Sequence, residues 1–143
     1  MKLVILRALT VLSLLSTGAT TAWADDRFLG KWTDSAPKND PMGPLDITSD
    51  KISVGKVTYE VTQAGPFGEG VLYTVNGLNR KTDPNGCGPT KKLSHIIVRP
   101  KPTISNATYS AIVVTFYAAP DAPKPDTLNE MAVCGEHPFG RKE

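Results

Sequence analysis

The amino-acid sequence predicts an all-β domain, built as a small antiparallel β-barrel or sandwich of about six to eight short strands. Apolar and polar residues alternate over several short segments, which is the period of a strand with one solvated face. Helical periodicity is almost absent. The 12 glycines and 12 prolines interrupt the chain of 143 residues at short intervals, and this spacing is typical of short strands joined by turns.

The expected strands follow one another along the chain. They cover 28–33, the two halves of 45–54 on either side of a turn at Ser49-Asp50, 56–62, 71–75, 93–99 and 109–118, with 127–134 as either a strand or one helical turn. The dipeptides Asn76-Gly77 and Asn85-Gly86 predict turns. The proline-containing segments 65–68 and 121–125 are expected to interrupt the strands, because proline cannot donate to a β-ladder.

Residues 1–24 have the three parts of a cleaved signal peptide. Lys2 and Arg7 flank a mostly aliphatic run, 8–15, and small residues lead to Ala22-Trp23-Ala24, an A-x-A cleavage pattern. A membrane anchor needs about 20 apolar residues, and polar residues break this run too early. We therefore predict cleavage after Ala24, a periplasmic or secreted product without a membrane span, and one domain over 25–143.

Cleavage changes what the composition implies. The precursor carries a formal charge of +2, and removal of Lys2 and Arg7 brings it to 0. A neutral domain gives no reason to expect a nucleic-acid partner.

Cys87 and Cys134 are the two cysteines of the chain. In an oxidising compartment such a pair is expected to form a disulfide. Cys134, Glu136 and His137 stand close enough in sequence to suggest a metal site, but a disulfide would occupy the thiolate. The spacing also fits no common zinc motif. We therefore predict a structural bridge, with no metal and no cofactor.

The segment Phe28-Leu29-Gly30-Lys31-Trp32-Thr33 contains a Gly-x-Trp motif near the predicted start of the mature chain. It resembles the opening strand of lipocalins, avidins and related calycin-like exported β-barrels. The resemblance covers about six residues and implies a barrel in which Gly30 permits a bend and Trp32 closes one end. Trp32 as an ordinary core residue of another β-domain is the alternative. Biotin binding is not implied, because avidin-like sites use several tryptophans.

Few residues suggest catalysis. His95 and His137 are the two histidines, and the sequence has no nucleophile motif of the G-x-S-x-G or H-E-x-x-H kind. We therefore expect a protein that is not an enzyme. A small periplasmic enzyme that uses His95, or Glu136 with His137, remains a further alternative. Asn106-Ala107-Thr108 fits the N-glycosylation pattern, which matters only in a eukaryotic secretory pathway.

Basic residues are concentrated between Asn79 and Lys101. The candidate partner-binding residues are Arg80, Lys81, Lys91, Lys92, Arg99 and Lys101. Asp83 is the one acid among them, so this stretch alone is strongly positive. If the disulfide ties it to the C-terminal segment, Arg141 and Lys142 would join the same surface. The alternative is a solvated hairpin with scattered charge.

These observations favour an exported, non-enzymatic binding protein. Its expected partner is a protein or an envelope component, and inhibition of a hydrolase is one concrete form. A lipocalin-like carrier of a small apolar ligand is the alternative, and this hypothesis requires an internal cavity.

Overall fold

A computed structural model describes residues 24–36, 38, 41–102 and 109–142. The predicted signal peptide up to Trp23 and the glycosylation pattern at Asn106 lie outside these residues. The strands are β1 Gly30–Asp34, β2 Leu45–Ile47, β3 Lys51–Val54, β4 Val57–Phe67, β5 Gly70–Leu78, β6 His95–Lys101, β7 Tyr109–Tyr117 and β8 Val133–Lys142. Two short 3₁₀ turns, Pro125–Thr127 and Glu130–Ala132, precede β8.

The eight strands form one closed antiparallel barrel in which each strand pairs with its neighbours in sequence and β1 pairs with β8. The predicted all-β class and the disulfide are confirmed, and of the two architectures expected the structure has the barrel. Each strand is therefore paired on both of its sides over at least part of its length.

The barrel has two distinct ends. At one end, which we call the tryptophan end, β1 begins at Gly30 and β8 finishes at Lys142, and short turns join β2 to β3 and β4 to β5. At the opposite end, which we call the loop end, three longer connections meet: 35–44, 79–94 and 118–132.

Side chains fill the interior of the barrel. The inward side of the strands carries the apolar residues found by alternation, and directly paired positions such as Ile52 with Tyr59 and Ile112 with Phe139 face each other. The largest fully buried side chains are Tyr59, Tyr73, Phe116 and Phe139. An eight-stranded barrel is just wide enough for its side chains to fill. Four cavities formed by described residues lie at the loop end or on the outer surface.

Two of the expected breaks between strands are wrong. Gly65, Pro66 and Phe67 lie inside β4, with only Gly68 in the turn that follows, and Asn76-Gly77 lies inside β5. β4 continues through Pro66 to Phe67, with Pro66 opposite Val71, and a register shift between Gln63 and Gly65 absorbs one extra residue. The missing N–H of Pro66 does not break the ladder, since β3 pairs with β4 only from Val57 to Glu60. Asn76-Gly77 lies in β5, beside a second register shift between Glu60 and Val61.

The connection 118–132 packs against the outside of the barrel. Leu128 lies on a small cluster formed by Phe67, Leu72 and Ile97. This cover buries the outward side chain of Ile97, and β6 is buried on both faces at His95–Val98.

Candidate functional site

The connection between β5 and β6, residues 79–94, forms the candidate site, and we call it the basic loop. It contains four basic residues and one acid, Asp83. The disulfide from Cys87 joins it to Cys134 at the start of β8, with 4.7 Å between the two Cα atoms. The loop is therefore tied covalently to the strand that closes the barrel.

A second attachment fixes the basic loop to the barrel interior. The buried Tyr59 hydroxyl donates to Oδ1 of Asp83 at 2.6 Å and accepts from Nδ2 of Asn85 at 2.8 Å. The backbone N–H of Asn85 donates to the same Asp83 oxygen at 3.0 Å. Burial raises the pKa of Tyr59, and the Asp83 carboxylate raises it further, so the phenol stays protonated as the donor. Asp83 thus turns inward, and the outer side of the loop keeps its positive charge.

The four basic residues of the loop are exposed: Arg80, Lys81, Lys91 and Lys92. None of them forms an ion pair with a described residue. Their charges are therefore directed to solvent, at the loop end of a domain whose formal charge after the predicted cleavage is neutral.

The structure does not bring the other two predicted partner-binding residues to this surface. Arg99 lies on the outer face of β6, where it donates to Oε1 of Glu136 at 2.7 Å and to Oγ1 of Thr115 at 3.1 Å. Lys101 is the last residue of β6 and lies toward the tryptophan end.

The expectation that Arg141 and Lys142 join the basic surface is wrong. The disulfide does reach the C-terminal segment, but β8 then runs the length of the barrel away from the basic loop. Arg141 therefore lies at the opposite end, where it donates to the carbonyl oxygen of Leu29 at 2.8 Å.

A recess of about 290 Å³ lies between the basic loop and the rim of the barrel. Its apolar lining comes from Val75, Leu78 and Leu93, with Tyr59 beneath them. Arg80, Lys81 and Lys92 also line it, together with Asp83, whose carboxylate accepts from the Tyr59 hydroxyl. With three cations against one acid that is already hydrogen-bonded, this lining suits an apolar group that carries a negative charge.

Trp32 is buried at the tryptophan end with 3% of its surface exposed. Its indole N–H donates to the carbonyl oxygen of Phe28 at 2.9 Å. The guanidinium carbon of Arg141 lies 4.0 Å from the centre of the indole ring. Gly30 adopts a φ of 108° just before it, a conformation that glycine adopts readily.

The candidate catalytic residues are separated from one another. His95 is buried against Tyr117, with Nδ1 2.9 Å from the Ser94 hydroxyl, and burial lowers its pKa. His137 points into the barrel and contacts Asp34, whereas its neighbour Glu136 points outward to Arg99. Alternation along β8 sends these two side chains to opposite faces.

The described residues contain no group of three side chains able to hold a metal ion. Cys134 is bonded to Cys87. Among the residues that the structure describes, no helix is both long and apolar enough to cross a membrane.

Asp34, Tyr59 and Asp83 were not among the candidates from the sequence. Tyr59 and Asp83 position the basic loop, and Asp34 holds the loop beside it. Each acts through a partner distant in sequence, so no local motif marks it. Comparisons with models of protein families, with curated proteins and with solved structures found no match to this chain.

Proposed function

We propose that the protein is an exported, non-enzymatic binding protein whose basic loop contacts an acidic surface of a protein partner. An inhibitor of an envelope or secreted hydrolase is one concrete form. The observation that carries the proposal is the set of four exposed cations on one loop that a disulfide and the buried Tyr59 both anchor. Binding residues are often found on loops that a rigid scaffold positions.

Two features support recognition through this loop. Because the loop is attached at Cys87 and at Asp83, little conformational entropy has to be lost on binding. Because its cations have no ion pair within the described chain, a partner's carboxylates need not displace an internal one. Positive potential at one end of a neutral domain also steers an acidic partner into the correct orientation.

The test is partner capture from the envelope and secreted fractions of the source cells. The bait is the exported protein, in its natural form and with Arg80, Lys81, Lys91 and Lys92 changed to Glu. The matched control changes four other exposed lysines to Glu, at positions 51, 101, 124 and 142. Both variants change the net charge equally, but the control leaves the basic loop intact.

We expect the basic-loop variant to lose the partner and the control to keep it. Capture should also weaken as salt is raised, since exposed charge pairs are screened. Equal capture by the two variants would refute recognition through the basic loop.

The alternative function is transport of a small apolar ligand. The filled barrel interior does not favour it, but the recess beside the basic loop does, since its volume of about 290 Å³ is at the lower end for ligand sites. Native mass spectrometry of protein purified from its source tests this alternative. A bound mass that is lost on unfolding would support the carrier, and protein that is always empty would count against it.

A further inference from the structure

A groove of about 580 Å³ lies on the other side of the basic loop from the recess. Three chain segments form it: 90–94 of the basic loop, 118–120 and 129–132. The segment 118–120 is the middle one, because the Ala119 amide donates to the Ser94 hydroxyl and the Ala118 amide donates to the carbonyl oxygen of Ala132. Small side chains therefore form the floor, with Lys91 and Lys92 on one side and Met131 on the other.

Met131 is 89% exposed. Among the described residues it is the one large apolar side chain that is exposed to solvent. Its backbone is fixed. The Met131 amide donates to Oδ1 of Asn129 at 3.1 Å, and the Ala132 amide donates to the Asn129 carbonyl oxygen at 2.9 Å. A methionine held outward by a rigid turn is a suitable contact for an apolar side chain of another molecule.

The disulfide connects the two walls of the groove. Cys87 belongs to the loop that carries Lys91 and Lys92, and Cys134 follows the turn that carries Met131. The distance between the cationic wall and the apolar wall is thus constrained before anything binds, which lowers the entropic cost of binding.

The charges around the groove indicate what fits it. Lys91 and Lys92 form no ion pair with a described residue. Their ammonium groups can therefore form salt bridges with carboxylates of another molecule. The opposite connection, 118–132, carries three acids, Asp121, Asp126 and Glu130, against one base, Lys124. A uniform polyanion would be repelled there, whereas a segment with one acidic and one apolar side chain matches both walls.

We infer that this groove binds an extended segment of a partner protein in which a carboxylate side chain lies next to a large apolar side chain. The carboxylate contacts Lys91 and Lys92, and the apolar side chain packs on Met131. The inference rests on the proposed function and assigns part of its interface to Met131, outside the basic loop.

The experiment selects from a library of short random peptides displayed on phage, with the exported protein immobilised. Enriched peptides are synthesised, and their dissociation constants are measured for the natural protein and for variants. We expect enriched sequences to pair Asp or Glu with Leu, Ile, Phe or Met. Met131→Ser and the double change of Lys91 and Lys92 to Glu should each weaken binding about tenfold.

Two controls accompany these variants. Met131→Leu should retain binding, because it keeps the apolar contact. The double change of Lys51 and Lys142 to Glu, at exposed positions at the opposite end of the barrel, should leave the peptide affinity unchanged. Met131 and all four lysines are exposed, so these changes should not unfold the protein. Failure to enrich peptides, or equal affinity for Met131→Ser and the natural protein, would overturn the inference.

The same variants separate this inference from the proposed function. Partner capture that is lost when all four basic-loop residues are changed to Glu but tolerates Met131→Ser would retain the proposed function and refute the groove. Peptides that bind in the groove, together with partner capture that tolerates the change of all four basic-loop residues, would retain the groove and refute the proposed function.

Discussion

His137 Nε2 lies 2.6 Å from Oδ1 of Asp34, and both side chains are buried where β1 and β8 meet at the loop end. The same carboxylate accepts the amides of Ala36 and Met42, each at 2.8 Å, and that of Gly43 at 3.2 Å. One side chain therefore holds the connection 35–44 and links it to the last strand. The two residues are far apart in sequence, so their contact depends on barrel closure.

Acid should destabilise the protein through Asp34. Burial opposes its charged form, but the hydrogen bonds from His137, Ala36 and Met42 outweigh it and lower the pKa to about 2 from the ordinary 3.8. A depressed pKa in the folded state means that this contribution is complete above the unfolded pKa. It is lost as the pH falls from about 4 to about 2. Urea unfolding of the natural protein across this range should show the decline.

Asp34→Asn should remove that part of the pH dependence and lower the free energy of unfolding at neutral pH by about 2 kcal/mol, because it replaces a carboxylate that accepts hydrogen bonds from His137, Ala36 and Met42. The control is Asp46→Asn, since Asp46 pairs at 3.2 Å with the exposed Lys31. That surface pair should be worth no more than about 1 kcal/mol. Similar losses in the two variants would show that Asp34 has no special role.

Arg141→Ala should destabilise the tryptophan end. The guanidinium stacks on Trp32 and donates to the carbonyl oxygens of Leu29 and Arg27, so the loss combines a cation–π contact with two charge-assisted hydrogen bonds. We expect about 2 kcal/mol. Arg141→Lys should recover only part of it, because an ammonium lacks the planar fork. Tryptophan fluorescence of a protein made of residues 25–143 measures this, since Trp32 is the one tryptophan in that range. Lys142→Ala, with an exposed side chain, should change little.

Most strands could be predicted from the sequence because their buried faces are apolar and alternate with polar residues. β8 could not. Its inward side chains include His137 and Arg141, whose partners Asp34 and Trp32 belong to the first strand. Local alternation does not identify such positions, and Gly135, Pro138 and Gly140 further obscure the strand.

The basic segment could be located from the sequence. Which of its residues share one surface could not be predicted. Arg99 is close in sequence to the loop lysines, yet it points from the outer face of β6 toward Glu136 on β8. Strand alternation and pairing decide that direction. The position of Met131 beside the basic loop could not be predicted either, because the disulfide and the barrel bring the connection 118–132 there.

Gly55→Ala should cost more than Gly68→Ala. Both glycines have nearly the same left-handed conformation, with φ of 59° and 57°, so each substitution should lose about 1 kcal/mol for the backbone alone. A Cβ at Gly55 would lie 2.5 Å from the carbonyl oxygen of Met42, whereas nothing lies within 4 Å at Gly68. Gly55→Ala should therefore displace the connection 35–44 and cost at least about 2 kcal/mol in total. Thermal unfolding of both variants tests this, and equal losses would contradict the predicted clash.

Replacement of both Cys87 and Cys134 by Ala should lower the free energy of unfolding by about 4 kcal/mol, since the bridge closes a loop with a sequence separation of 47. The fluorescence of Trp32 should stay native, because that residue lies at the opposite end of the barrel. Partner capture should weaken, because the basic loop would keep its attachment at Tyr59 and lose the one at Cys134. Reduction of the natural protein should reproduce these effects. A reduced protein that unfolds at the same urea concentration as the oxidised one, yet still captures its partner, would show that the disulfide neither stabilises the barrel nor positions the loop.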